Sequence, residues 1–94
     1  MRIIDVTSSE AVKIKGFPAF AQVATQEVVS LGPDEVGIIQ GKHGFHEQGV
    51  GIFGGIVNPR WKDKLTIEFM IFGELNLKKG DKIAHVIVLR DAPA

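Results

Sequence analysis

The chain has 94 residues, no cysteine, and eleven basic against eleven acidic residues, which gives a formal net charge of zero at pH 7. This length predicts one domain over residues 1–94 and no second, with a thin stability margin that oligomerisation commonly remedies. The neutral balance argues against a nucleic-acid partner, and no apolar run approaches the roughly 20 residues of a membrane helix. Because the start carries Asp5 inside an apolar stretch and no cleavage-like pattern, it does not resemble a signal peptide, and we expect a cytoplasmic protein.

In the first half of the chain, apolar residues follow a period of two better than a period of 3.6, which is typical of strands. Residues 8–13 could begin a helix, but the pattern stops at once. Short strands are predicted at 20–24, 26–31 and 36–40, with a glycine–proline turn at 32–34 between the last two.

In the second half, residues 41–55 are glycine-rich and predicted to be irregular, and 58–61 form a turn because Pro59 discourages helix before it. The long strand that follows, 65–72, is apolar on both faces and is therefore expected to be buried on both, apart from Thr66 and Glu68. A turn at 79–81 and a strand at 82–89 complete the chain. Many short strands with glycine-rich turns predict an all-β barrel or sandwich.

Four segments resemble those of dCTP deaminases and their dUTPase relatives, in the family's order and spacing. Residues 20–31, FAQVATQEVVSL, are similar to a strand pair reading approximately F-x-L-A-x-T-x-E-x-V-x-L, and residues 34–41 lead to the position of the family's G-R-S-S loop. Residues 57–69, VNPRWKDKLTIEF, resemble I-D-P-G-W-x-G-x-I/L-T-L-E-F, and residues 77–85, LKKGDKIAH, resemble L-x-P-G-M-K-I-A/G-Q. The resemblance covers about 17–90 and is nearest to dCTP deaminases by motif.

This resemblance implies a β-clip-like distorted barrel assembled as a homotrimer. It also implies active sites between subunits, where a serine and arginine loop holds the phosphates of a deoxynucleoside triphosphate and an acid lies near the base and sugar. Mg²⁺ is expected only if a triphosphate is bound. By motif position, the candidate nucleotide-binding residues are Lys42, His43, Gly44, Asn58 and Trp61.

The phosphate loop departs from the family pattern in ways that weaken phosphate binding. Lys42 stands at the arginine of R-S-S, His43 and Gly44 replace the two serines, and Glu47 falls where the deaminases have a second arginine. A carboxylate within reach of a triphosphate repels it, whereas bidentate arginine–phosphate bonds are among the strongest polar contacts.

Further departures affect the turn and the chain ends. Asn58 replaces the aspartate of the D-P motif, which removes a charge there. Trp61 is expected to pack as a lid on the core, with stacking on a base as the alternative. The family's phosphate-covering C-terminal tail and its N-terminal P-A-S-x-D-L segment have no counterpart in the sequence.

Glu68 is the candidate catalytic residue. The resemblance assigns it activation of the attacking water. Independently, it lies in mid-strand among apolar residues, and burial raises the pKa of a carboxyl group in the way that active sites use. The alternative is a structural glutamate paired with a lysine, an arginine or the backbone at a strand end or subunit interface.

The histidines offer weaker signals. His43 and His46, three apart and beside Glu47, could begin a metal site, but closed sites need more ligands, so we predict no metal and two exposed or interface histidines. His85 alternates with Ile83 and Ile87, and we expect a core histidine; the alternative is a position near a trimer axis.

Two functions follow. The first is a catalytically degenerate, trimeric module that binds a deoxynucleotide or a protein partner. The second is an active dCTP deaminase or dUTP diphosphatase in which Glu68 activates water and Lys42 holds phosphate. The altered phosphate loop and Asn58 favour the first.

Overall fold

The computed structural model describes residues 1–90, and nearly all of its regular structure is β-strand. The strands are β1 (Arg2–Thr7), β2 (Val12–Ser30), β3 (Glu35–Gly41), β4 (Val50–Phe53), β5 (Gly55–Val57), β6 (Lys62–Leu77) and β7 (Lys82–Arg90), with one 3-10 turn at Phe45–Gln48. The predicted all-β class is confirmed. No helix within residues 1–90 is long and apolar enough to cross a membrane.

The strands form two antiparallel sheets. Sheet 1 has the order β1-β7-β3-β5, and sheet 2 has the order β2-β6-β4. β2 and β6 pair along almost their whole length, with register irregularities between Gly16 and Ala19 and between Ala24 and Val28. The chain passes from the edge of sheet 2 to the edge of sheet 1 through Gly54, which alone separates β4 from β5.

One apolar core lies between the sheets. From β6 it takes the face that the sequence predicted to be buried, Leu65, Ile67, Phe69 and Ile71, and from β7 it takes Ala84, Val86 and Val88. Alternate residues of each strand thus point into one shared interior, as period-two patterning requires.

The second face of β6 is not buried, and the prediction that both faces would be buried was wrong. Phe72 is exposed and Met70 is only half-buried, although both are apolar. Sheet 2 is an outer layer, so only one of its faces meets the core. An apolar pattern does not tell whether the second face is covered by the same chain.

The N-terminal part differs most from the prediction. β1 (residues 2–7) and the start of β2 (residues 12–16) were not predicted, and the two predicted strands 20–24 and 26–31 belong to the single strand β2, apart from Leu31, which follows its end. No helix begins at 8–13; Ser8 instead bridges to Thr25 across the sheets.

A polar junction of Thr7, Ser8, Thr25 and Glu27 ties β1 to β2. The buried Thr25 hydroxyl donates to the carbonyl oxygen of Glu27 and accepts from the amide of Leu65, both at 2.9 Å. The Glu27 carboxylate accepts from the Thr7 amide at 2.7 Å and from its hydroxyl at 2.6 Å. Partial desolvation pushes the pKa of Glu27 upward, but the Thr7 hydrogen bonds outweigh it and the pKa lies below its ordinary value.

Glu35 is a second anchored carboxylate, at the start of β3. Arg2 donates to both of its oxygens at 3.2 and 3.1 Å, and the Gly32 amide donates at 2.8 Å. The Arg2 hydrogen bond, followed by that of Gly32, lowers the pKa of Glu35 to about 2. The start of β3 is thereby held against β1.

Candidate functional site

The structure separates the predicted nucleotide-binding residues into two groups. Lys42, His43 and Gly44 follow the end of β3, whereas Asn58 and Trp61 follow the end of β5. β5 runs antiparallel to β3 with Val57 opposite Gly37, so Asn58 lies beside the start of β3. At about 3.3 Å per residue, the two groups are roughly 15–20 Å apart along the strand. One subunit does not bring them into one pocket.

The loop after β3 is fixed to β6 at close range. Phe45 is buried, with its ring 5.8 Å from that of Phe69 in an edge-to-face arrangement. Gly49 has a φ of 73°, and a Cβ there would lie 2.6 Å from the carbonyl oxygen of Phe72. Lys42 rests with its ammonium group 5.8 Å from the centre of the Phe45 ring. These contacts fix the loop that carries Lys42 against β6.

Gly44 has a conformational reason to be glycine. Its φ is 102°, a region in which a side chain is strained although the space around it is open. Gly44 stands where the resemblance places a serine, and a serine at this φ would be strained, so the backbone conformation of the loop accompanies the loss of that hydroxyl group. The amides of Lys42 and Glu47 donate to the carbonyl oxygens of Ile83 and Gly44, so neither is free for a phosphate.

The histidines of this loop are exposed, as the preferred sequence interpretation expected. The rings of His43 and His46 lie 5.6 Å apart in an edge-to-face arrangement. Within residues 1–90, no three side chains of the metal-binding types come together in a way that could hold an ion.

Trp61 lies on the surface of the turn after β5, and the predicted lid on the core was wrong. Its side chain is 39% exposed, and its indole N–H donates to the carbonyl oxygen of Asp63 at 3.0 Å. The Trp61 amide donates to the Asn58 carbonyl oxygen at 3.2 Å, which closes the turn. The turn docks through its backbone on Leu31, whose amide donates to the Trp61 carbonyl oxygen, and this leaves the indole outside the core.

Glu68 lies on the outer face of sheet 2 and is exposed, so the expectation of a buried carboxyl was wrong. Cross-strand register places it opposite Gln22 on β2 and Phe53 on β4. The Gln22 amide donates to it at 3.4 Å, and the ion pairs within the described residues do not include it. A shallow depression of about 320 Å³ lies here, lined also by Phe20 and Phe69.

The chain was compared with known protein families and with solved structures. The chain matches the dUTPase family over residues 3–92. It belongs to the dUTPase family. Its fold is similar to that of the dUTPase of Staphylococcus bacteriophage 80alpha solved with dUpNHpp, at a TM-score of 0.80 and 17% identity over 96% of this chain and 80% of that one.

Two further dUTPases share the fold. That of S. aureus phage phi11, solved to reveal the coordination of a structural Mg(II) ion, has a TM-score of 0.79 at 17% identity over 96% of this chain and 77% of its own. The EIAV dUTPase has a TM-score of 0.77 at 22% identity over 93% and 73%. No curated protein sequence shows significant similarity to the chain.

The family match confirms the predicted dUTPase-like superfamily and β-clip fold, while the nearer likeness to dCTP deaminases stays a prediction. The sequence did not predict the residues that surround Glu68, namely Gln22 and Phe20 from β2 and Phe53 from β4. They reach Glu68 through the pairing of distant strands, which a local sequence pattern does not reveal.

His85 is not a core histidine, so the preferred prediction was wrong. It is half-buried on the outer face of sheet 1, and its Nε2 lies 2.9 Å from the side-chain oxygen of Gln40 on β3. The core side of β7 carries its neighbours Ala84 and Val86, which are fully buried. The alternative position near a trimer axis stays a prediction.

Proposed function

We propose that this dUTPase-family protein is a homotrimeric deoxynucleotide-binding module, able to act as an interaction module, that has lost catalysis. The observation that carries the proposal is the state of Glu68, the one candidate for water activation. Within its own subunit, the polar contact that Glu68 receives is a long hydrogen bond from Gln22, and the ion pairs of the described residues do not include it. An effective general base is held at a fixed position within hydrogen-bond reach of the proton it takes, and one long bond does not fix the Glu68 carboxylate in this way.

The separation of the candidate residues supports a site shared between subunits. Lys42 and Asn58 lie at opposite ends of β3, and Glu68 lies on the other sheet. A site that uses all three needs residues of a neighbouring copy, which agrees with the homotrimer implied by the family resemblance. A small domain also gains the burial that it lacks alone.

A deoxynucleoside triphosphate is the proposed ligand. The structurally similar phage 80alpha dUTPase was solved with dUpNHpp. Lys42 would pair with phosphate oxygens from its anchored loop, and Trp61 offers an exposed ring for stacking. Because residues 1–90 form no cluster of metal ligands, Mg²⁺ would enter with the triphosphate and keep several waters.

The second candidate is an active enzyme, a dUTP diphosphatase or a dCTP deaminase. It is favoured by the position of Glu68 in a depression between Phe20 and Phe53, where a base or a water could sit against the carboxylate. Asn58 argues against it, since an amide neither accepts a proton nor carries charge.

Turnover separates the two candidates. The protein is incubated with each deoxynucleoside triphosphate, with and without Mg²⁺, and products are resolved by chromatography. We expect neither deamination nor diphosphate release. Turnover that disappears in Glu68→Gln but persists in Glu10→Gln, a change at an exposed acid outside the site, would establish the enzyme instead.

Binding is measured by thermal shift with the same nucleotides. A ligand at about 100 times its dissociation constant adds about 2.7 kcal/mol of stability. We expect Lys42→Ala to abolish the shift and Lys79→Ala, at the tip of an exposed turn, to preserve it. If no nucleotide shifts the wild-type melting temperature, the nucleotide-binding proposal fails.

A further inference from the structure

The turn between β5 and β6 has an arginine in a backbone conformation that favours glycine. The Trp61 amide donates to the Asn58 carbonyl oxygen, so residues 58–61 form a β-turn with Pro59 second and Arg60 third. Arg60 has a φ of 69°, and the other positive φ values among the described residues belong to glycines. Proline in the second position and a positive φ in the third are typical of a type II turn, whose third position favours glycine or asparagine.

A second turn of the same chain has the residue that this geometry favours. In residues 78–81 the Asp81 amide donates to the Lys78 carbonyl oxygen at 3.0 Å, and the third position is Gly80, with a φ of 90°. The family pattern I-D-P-G-W likewise has glycine where Arg60 stands. Because a side chain in the left-handed region is unfavourable, turn formation alone does not account for an arginine at this position.

Backbone hydrogen bonds to the preceding turn hold Arg60 in this conformation. The Arg60 amide donates to the Gly32 carbonyl oxygen at 3.1 Å, and the Trp61 carbonyl oxygen accepts from the Leu31 amide at 2.8 Å. An unfavourable φ persists only where the surrounding structure maintains it, and such residues are concentrated at binding and catalytic sites. The backbone of Arg60 is thereby fixed, while the residue itself is exposed.

The charge of Arg60 is not used in an ion pair within the subunit. Of the three arginines in the chain, Arg2 pairs with Glu35 at 3.1 Å and Arg90 pairs with Asp34 at 3.2 Å. The ion pairs among the described residues do not include Arg60. Because the two acids of the adjacent turn are each engaged by another arginine, the Arg60 guanidinium is available to an anionic ligand.

We infer that Arg60 binds phosphate oxygens of the deoxynucleoside triphosphate and supplies the arginine contact that the loop after β3 lacks. The inference rests on the proposed function and adds a residue to its site. Arg60 lies in the same turn as Asn58 and Trp61, two of the candidate nucleotide-binding residues. A guanidinium can give a phosphate two parallel hydrogen bonds in a fixed geometry, whereas the ammonium group of Lys42 acts as a point charge.

The fluorescence of Trp61, the only tryptophan of the chain, reports ligand binding at this turn. The protein is titrated with dUTP and with dCTP in the presence of Mg²⁺. We expect Arg60→Asn and Arg60→Gly to raise the dissociation constant about tenfold or more, since a hydrogen bond to a charged group is lost. Arg60→Glu should weaken binding further, because a carboxylate repels phosphate. Lys79→Asn, which removes a cation from the other turn, is the matched control and should leave the dissociation constant within about twofold.

The melting temperature without ligand separates a binding role from a structural one. Because glycine favours a positive φ and asparagine tolerates it, Arg60→Gly should raise the melting temperature by about 2–5 °C, and Arg60→Asn should not lower it. A structural arginine would give the opposite result, a lower melting temperature in both variants.

Three results would overturn the inference: wild-type affinity in Arg60→Gly, a lower melting temperature in that variant, or a measured affinity of Arg60→Glu equal to that of Arg60→Asn. A thermal shift by nucleotide without a change in Trp61 fluorescence would also contradict it, because the ligand would then bind away from this turn. The proposed function is tested by the wild type alone. If no nucleotide binds the wild type, both fail, whereas a wild type that binds no better than Arg60→Gly refutes only the role of Arg60.

Discussion

Glu27, in the polar junction between β1 and β2, and Glu68, on the outer face of sheet 2, differ sharply in their hydrogen bonding. Glu27 accepts two short hydrogen bonds from Thr7 within its own subunit. Glu68 receives one long bond from Gln22 and is surrounded by exposed phenylalanines. The junction is completed by hydrogen bonds within one subunit, whereas the carboxylate on the outer face of sheet 2 receives one long hydrogen bond among apolar side chains. Short, paired hydrogen bonds therefore distinguish a structural glutamate from one that its own subunit leaves exposed.

The largest effect is expected from the junction's buried hydroxyl. Thr25→Val keeps the shape but leaves the Leu65 amide and the Glu27 carbonyl oxygen without that partner. Each unsatisfied buried group costs about 1–3 kcal/mol, so we expect a loss of about 2–3 kcal/mol of unfolding free energy in urea. Thr66→Val, on the exposed face of β6, should stay within about 0.5 kcal/mol of wild type. Equal effects would show that the junction is not special.

A smaller effect separates the two glutamates directly. The amide and the hydroxyl of Thr7 donate to different oxygens of the Glu27 carboxylate, and Glu27→Gln replaces one of these oxygens with an NH2 group that cannot accept a hydrogen bond. We expect a loss of about 1–2 kcal/mol in urea unfolding. Glu68→Gln should change stability by less than about 0.5 kcal/mol. A larger loss of unfolding free energy in Glu68→Gln than in Glu27→Gln would contradict the conclusion that Glu27 is the better bonded of the two carboxylates.

The smallest expected effect is on the pH dependence of stability, to which the Glu35 carboxylate contributes. The pKa of Glu35 is about 2 in the folded protein because of Arg2 and the Gly32 amide, and roughly 4.3 when unfolded. Its stabilising contribution is therefore present above the unfolded pKa and is lost as pH falls toward 2. Melting temperatures from pH 5 downward should fall less steeply in Glu35→Gln than in wild type. Parallel curves would contradict the Arg2–Glu35 anchor.

The sequence predicted the fold where its own pattern was long. The alternation over 65–72 and 82–89 located β6 and β7, although β6 extends to Leu77. β1 and the start of β2 were missed, yet Val12 and Ile14 alternate with Lys13 and Lys15, which was a usable signal. The family motifs supplied what the pattern could not, namely the order of the segments.

The site could be predicted only in part, because its neighbours are distant in the chain. Glu68 meets Gln22 across a separation of 46 residues, and no local pattern contains that register. The exposure of Glu68 and Trp61 was missed for a related reason. Both lie on outer surfaces of the subunit, and an apolar neighbourhood in sequence does not reveal whether the same chain covers it.

Phosphorus NMR of dUTP and dCTP with stoichiometric protein and Mg²⁺ tests the central claim most directly, because it reports triphosphate binding and diphosphate release together. We expect shifted or broadened β- and γ-phosphate resonances that return to their free positions in Lys42→Ala, with no diphosphate over the course of the measurement. Unperturbed resonances would contradict binding. A diphosphate signal that depends on Glu68 would contradict the loss of catalysis.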